Sequence, residues 1–232
     1  MRILGIESAG KVASVALVED GVVLCDFTIN GKYTHSKTIM PMLEALKTIM
    51  DVDLSTIDGV AVSSGPGSYT GLRIGASTAK ALAQVWQVPI VGISTLESMA
   101  NNIGETDKLI CPMLDARRQH AFCAAYKYES GKLINVLPID LRSVEDFIND
   151  LKGLDREMLF FGDGWLNHQG LVAQFAPSDK VVEARAIDAL PKASSLALLG
   201  EVKFKAGLTE SYLDHQPNYY RVTQAERELQ DK

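Results

Sequence analysis

The sequence holds no apolar run near the roughly 20 residues that a membrane-spanning helix needs, so no membrane segment is expected. Cysteine is scarce: Cys25, Cys111 and Cys123 form an odd set, with no Cys-x-x-Cys spacing and apolar neighbours. That excludes a disulfide framework and a cysteine zinc site, and reads as reduced core thiols in a cytosolic protein. A basic surplus is missing too. At a formal net charge of −6, the chain is not expected to hold nucleic acid alone, because such affinity rests on Lys and Arg neutralising phosphates. A subunit whose partner carries the basic surface remains open. Met1 leads almost directly into the strand-like run Ile3-Leu4-Gly5-Ile6, which leaves no room for a signal peptide. Low-complexity segments and short-period repeats are absent as well. What is present is ordinary globular composition, 47% apolar and 22% charged over 232 residues. That length can bury a sizeable core or divide into two modest domains.

The most informative stretch is Val60–Gly75, VAVSSGPGSYTGLRIG. It opens as a buried-strand run, breaks at Gly65-Pro66-Gly67 and resumes as a helix near Leu72. Glycine allows positive φ and proline fixes φ, so the turn is tight. Strand, glycine-rich turn and helix together point backbone N–H groups beyond the strand end, where an anion can sit. Ser64, Gly65, Gly67, Ser68 and Gly71 are therefore candidate phosphate contacts. The turn is not a Walker loop, since no Gly-Lys-Ser/Thr follows and Pro66 removes a donor. An isolated turn of this composition serves equally as a plain strand-to-helix connection.

Before it, Arg2–Ser8, Ala13–Glu19 and Val22–Ile29 read as strands, with an Asp20-Gly21 turn between the last two. Ser36–Met50 shows helical spacing, with Ile39, Leu43, Leu46 and Met50 on one stripe and Met40 and Met42 widening it. The helix from Leu72 to about Trp86 carries Gly75, Ala76, Ala79 and Ala83, small enough to admit another helix or to line the core. Val88–Ile93 is the next strand. Beyond a polar stretch near Asn102–Asp107, strands are expected at Leu109–Leu114, Gln119–Tyr128, Leu133–Ile139, Glu157–Phe161 and Lys180–Glu183. Helices are expected at Val144–Leu151, Leu166–Phe175 and Ala193–Ala206, the first announced by Ser143 with Asp146 three residues on. The class is α/β with mixed sheets. Its domains are expected at 1–103 and 104–232, with the last helix and tail free to pack back across the junction.

The segments GIES, ASVALVE, HSKTIMP, SSGPGSYTGLRIG, VGISTLESMA, MLDARRQHAF, GDG and PNYYR follow one another along the whole chain. Together they resemble the bacterial tRNA threonylcarbamoyladenosine biosynthesis family of TsaB, also called YeaZ. The resemblance implies two ribonuclease-H-like domains of the actin, sugar-kinase and Hsp70 superfamily. It also implies a non-catalytic sister of TsaD, the enzyme that transfers a threonylcarbamoyl group to N6 of adenosine 37 in tRNAs reading ANN codons. The ATPase TsaE would complete the assembly, and tRNA would be met only through the complex. Where the catalytic sister carries two metal-binding histidines four residues apart, this chain has Thr95 and Met99. A hydroxyl and a thioether are poor ligands for a hard or borderline cation, so no metal site is expected.

Glu7 stands where superfamily kinases carry an aspartate near the nucleotide's metal, and its longer side chain departs from that pattern. No cofactor is therefore expected for this chain, beyond weak ADP or ATP at a partner interface. His35 has Ile39, not a second histidine, four residues on; Arg117-Arg118 with His120 reads as a phosphate contact or a solvated hairpin edge. Ser64 and Ser68 show no paired histidine or acid nearby in sequence, although such partners can be distant. The function expected is a cytoplasmic scaffold and activator that binds TsaD, and in isolation a second copy of itself. The contact residues would be Ile39, Met40, Leu43, Leu46, Met50, Leu72, Ala76, Ala79 and Ala83. The alternative is an independent ATPase, kinase or peptidase-like enzyme.

Overall fold

The computed structural model describes residues 1–220. The apolar opening of the chain forms three antiparallel strands, β1 (Arg2–Glu7), β2 (Val12–Glu19) and β3 (Val22–Asn30). Asp20 and Gly21 both take positive φ between β2 and β3, the geometry of a two-residue I′ hairpin. After α1 (His35–Met50), β4 (Gly59–Gly65) pairs in parallel with β1, and β5 (Ile90–Ser94) in parallel with β4. Parallel neighbours need a crossover, and α2 (Tyr69–Trp86) provides it. The order is β3-β2-β1-β4-β5.

A short helix, α3 (Thr95–Ala100), leads into the second sheet. There β6 (Leu109–Asp115), β7 (His120–Glu129) and β8 (Lys132–Ser143) are antiparallel, while β9 (Met158–Phe161) and β10 (Val181–Glu183) add on in parallel beyond β6. Its order, β10-β9-β6-β7-β8, repeats the first topology in mirror listing. Both sheets thus have the ribonuclease-H-like layout that the resemblance implies. Helices α4 (Val144–Lys152) and α5 (Asp163–Phe175) cover one face of the second sheet, burying Phe147, Ile148, Leu151 and Val172. The Ser143 hydroxyl caps α4 by accepting the Asp146 amide at 3.1 Å.

Helices α1 and α2 cover one face of the first sheet, where Ile39, Leu43 and Leu46 meet Leu4, Val15 and Val62. Its other face is covered by α6 (Ala193–Lys205), whose Leu196 and Ala197 pack on Ile3, Val18, Ala61 and Val91. Residues 210–218 then run back along β5. Glu210 and Ile90 exchange both backbone hydrogen bonds, and the Asn218 amide donates to Ser64 at 2.7 Å. The unit expected over 104–232 is therefore divided in space: α6 and the segment after it belong to the first sheet, drawn there by its second apolar face.

Other boundaries moved for local reasons. The strand expected from Val88 starts at Ile90, because Val88 and Pro89 make the approach and Pro89 has no amide to give. The helix expected from Leu72 starts at Tyr69, because Ser68 is its N-cap and accepts the Gly71 amide at 3.3 Å. The helix expected from Leu166 starts at Asp163, directly after Gly162 at φ +94°. Cys111 and Cys123 are buried free thiols; loss of solvent pushes Cys123 up to about 12, far from thiolate chemistry.

Candidate functional site

Nine apolar residues of α1 and α2, Ile39, Met40, Leu43, Leu46, Met50, Leu72, Ala76, Ala79 and Ala83, were expected to contact a partner. The structure turns most of that set inward. Ile39, Leu43, Leu46, Leu72, Ala76, Ala79 and Ala83 are buried in the chain's own core, so as contact residues they are corrected. The small residues of α2 let that helix sit close on β4 rather than against a facing helix. Met50 is half-buried against the same core. Of the expected contacts Met40 is exposed, at 53%; Ile49 on α1 (68%) and Val85 on α2 (77%) are exposed as well, Ile49 on the side of α1 away from Met40. Met40 borders a hollow between α1 and α2 of about 520 Å³, shared with Tyr69 and Arg73.

The glycine-rich turn sits flush against the β1–β2 turn. A Cβ on Gly67 would lie 2.4 Å from the Ala9 carbonyl oxygen, and one on Gly71 2.1 Å from that of Ser8, so both positions require glycine. Ser68 donates its amide to Ala9 at 2.6 Å, and Gly71 donates its amide to the Ser68 hydroxyl. Two of the donors expected for an anion are thus spent inside the protein. The Ser64 carbonyl is taken by Asn218, and the Asn218 carbonyl oxygen lies close to Gly65. Among the described residues no histidine bonds to Ser64 or Ser68. His35 points its Nε2 at the Gly10 carbonyl instead, at 2.9 Å.

Glu7 is fully buried at the end of β1. It accepts the Ala9 amide at 2.6 Å, and its other oxygen has no partner among the described residues. Desolvation pushes its carboxyl up to about 7, against the Ala9 hydrogen bond that favours the charged form. A carboxylate buried in this way is not placed to hold hydrated magnesium.

Between the two sheets lies a cleft of about 600 Å³. Lys11 and the turn at Gly67–Tyr69 form one wall; Asp115, Arg117, Phe122 and Asp163 form the other; Asn218, Tyr219 and Tyr220 lie across it. Asp115 ends β6 and accepts the Arg117 amide, Asn167 Nδ2 and His168 Nε2. Burial would raise its carboxyl, yet these donors outweigh it and hold the group below the ordinary range. Asp163 accepts the Asp115 amide at 3.0 Å, and its own burial pushes its carboxyl up. Arg117, Arg118 and Gln119 all take left-handed φ (67°, 51° and 62°), a strained turn on which both arginines are exposed and Arg117 lines the cleft. Asn167, His168, Tyr219 and Tyr220 had no expected role. Two of them stand in PNYYR, and the GDG turn lies just before the others.

Thr95 and Met99 lie one turn apart on α3, both fully buried. The Met99 methyl fills the space over Gly162, 3.0 Å from where a Cβ there would stand, and its neighbours are Leu96, Ile110 and Phe161. Met99 is thus set in apolar packing, while the Thr95 hydroxyl is buried without a hydrogen-bond partner among the described residues. Among the described residues, no group of three or more His, Cys, Asp and Glu gathers for a metal.

A family model described as TsaD, tRNA N6-adenosine threonylcarbamoyltransferase, matches residues 23–229. The tRNA threonylcarbamoyladenosine biosynthesis protein TsaB of Bacillus subtilis (strain 168) is 32% identical, covering 97% of this chain and 96% of that protein. The chain belongs to the TsaB family. The TsaB of Escherichia coli (strain K12) is 29% identical over the full length of both. In fold, this TsaB-family chain is similar to a crystal structure from Pseudomonas aeruginosa described as an uncharacterized protein with similarity to peptidase YEAZ. That likeness has a TM-score of 0.82 at 22% identity and covers 95% of this chain and 99% of that one. Among the described residues no helix is long and apolar enough to cross a membrane.

Proposed function

We infer that this TsaB-family chain acts in forming N6-threonylcarbamoyladenosine on tRNA as a non-catalytic scaffold and activator, by dimerising with the catalytic subunit TsaD in the cytoplasm. The observation that carries this reading is the buried pair Thr95 and Met99. Of the two positions that would carry metal-binding histidines in the catalytic sister, Met99 is here part of an apolar core and Thr95 is fully buried beside it on the same helix. TsaE joins as the third component, and tRNA is met through the assembly. The docking face is the outer surface of α1 and α2 around Met40 and the groove it borders, which a second copy of the chain covers when the partner is absent. Methionine suits a surface that must fit two different partners. Nucleotide plays no required part. With Glu7 buried and two turn amides spent internally, the cleft does not fit a magnesium nucleotide on its own. Any ADP or ATP is held weakly and at the joint with the partner.

The test is reconstitution. Threonylcarbamoyl transfer is assayed with this chain, with the catalytic subunit, and with both. Activity is expected only from the catalytic subunit, increased when this chain is added. Transfer by this chain alone would overturn the reading.

A further inference from the structure

Tyr69 stands in the wall between two hollows. On one side is the α1–α2 groove, lined by Met40, Tyr69 and Arg73. On the other is the interdomain cleft, which Tyr69 lines with Tyr219 and Tyr220. Arg73 spans the wall: its guanidinium carbon sits 4.5 Å from the Tyr69 ring centroid, and its Nε donates to the Tyr219 hydroxyl at 3.3 Å. The Tyr219 ring lies 4.9 Å from that of Tyr69. The next residue, Tyr220, packs edge-on against Phe122 of the second sheet at 6.4 Å. Consecutive tyrosines are thus attached one to each domain.

The strap that carries them is fixed further back. Lys80 of α2 donates to the carbonyls of Leu213 and His215, and Asn218 is held by Ser64. What holds Tyr219 itself is weaker and more exposed. Arg73 faces solvent, has no carboxylate partner among the described residues, and borders a groove lined by no acidic side chain. A guanidinium pairs more strongly with a carboxylate than with a neutral phenol.

We propose that Tyr69, Arg73 and Tyr219 form a joint that couples occupancy of the α1–α2 groove to the interdomain cleft, through a partner carboxylate that draws Arg73 away from Tyr219. The proposal rests on the docking reading for the identity of the partner; the joint itself is a property of this chain. Arg73 has two positions, on the phenol or on the incoming carboxylate, which gives the coupling a discrete physical element. The coupling is reciprocal, so a molecule stacking on Tyr219 and Tyr220 in the cleft changes partner affinity by the same factor.

The test uses the full chain carrying 3-fluorotyrosine, with the Tyr219 and Tyr220 resonances assigned through Tyr→Phe variants. In the chain alone, Arg73→Gln is expected to shift the Tyr220 resonance, which Arg73 does not touch. It is also expected to speed exchange of the Asn218 amide about fivefold, the weight of one hydrogen bond. Tyr219→Phe should speed the same amide. Arg73→Gln leaving both Tyr220 and Asn218 unchanged overturns the joint. Adding the catalytic subunit to the unmodified chain should reproduce the Tyr220 shift, and binding without that shift also overturns it. Failure of the subunit to bind overturns the docking reading and the carboxylate step, while the joint still stands or falls on Arg73→Gln.

Discussion

The Glu7 carboxylate curls back to accept the amide of Ala9, two residues on, at 2.6 Å. Its second oxygen is buried without a partner among the described residues, and desolvation lifts the group from 4.5 to about 7. The folded chain therefore keeps a proton that the unfolded chain has already lost. Stability from this group is full below the unfolded value of 4.5 and is lost as pH rises through about 7. Glu7→Gln keeps an acceptor for Ala9 and removes the charge. It should leave melting near unchanged at pH 4 and stabilise the fold at pH 8 by on the order of 3 kcal/mol. An equal shift at both pH values would show that burial of the charge is not the cause.

Met40 and Ala79 separate docking from folding. Met40 is exposed and Ala79 has no accessible surface. Met40→Glu should leave thermal melting within about 1 kcal/mol of the parent while abolishing self-association and activation of the catalytic subunit. Ala79→Arg should cost several kcal/mol, on the order of 4, because it buries an unpaired charge and overfills the α2–sheet contact. Chromatographic size and melting curves read both. A Met40→Glu protein that still dimerises and still activates removes α1 from the interface.

Chelation should change nothing. With Thr95 and Met99 both fully buried and Met99 packed in an apolar cluster, stripping the purified chain with a strong chelator is expected to leave its melting temperature unmoved. One tightly held zinc or iron per chain in elemental analysis would contradict this.

The strap should loosen in acid. His215 is 1% exposed, with Nδ1 at 3.2 Å from Glu210. Burial, with Lys80 of α2 adding to it, holds its imidazole below the ordinary 6.5; Glu210 opposes them and does not win. A released strap therefore takes up a proton that the docked strap refuses. Docking is at full strength above about 6.5 and weakens as pH falls below it. Exchange of the Glu210 and Asn218 amides, corrected for intrinsic rates, should rise between pH 7 and pH 5. A flat profile would rule His215 out as the cause.

The α4 cap offers a local control. Ser143→Ala removes the acceptor for the Asp146 amide. It should cost about 1 kcal/mol in denaturant unfolding without touching self-association.

Much of the first domain was legible because its signals are local. Short apolar runs mark β1 to β3 and the Asp20-Gly21 pair marks the β2–β3 hairpin; in the second domain, Ser143 marks the start of α4. The direction of the α1 stripe was harder. A helix with Ile39, Met40, Met42, Leu43 and Leu46 is apolar over a wide arc, and sequence alone does not say which edge of that arc meets the sheet. The alanines of α2 carried the same ambiguity, since a small residue permits close approach to a strand as readily as to a helix. The cleft was least legible. Asp115 meets His168 from a position 53 residues away, and Tyr219 meets Arg73 across 146. No spacing rule reaches over such separations.

One face of the first sheet waits for a helix made last. While β1 to β5 can pair once residue 94 is synthesised, the side carrying Ile3, Val18, Ala61 and Val91 is covered, among the described residues, by Ala193–Lys205. A ribosome paused anywhere between those points holds a nascent chain with a bare apolar sheet. Such a surface is what chaperones bind and what aggregates grow from, so the route by which the protein reaches its fold is governed by the order of its own synthesis.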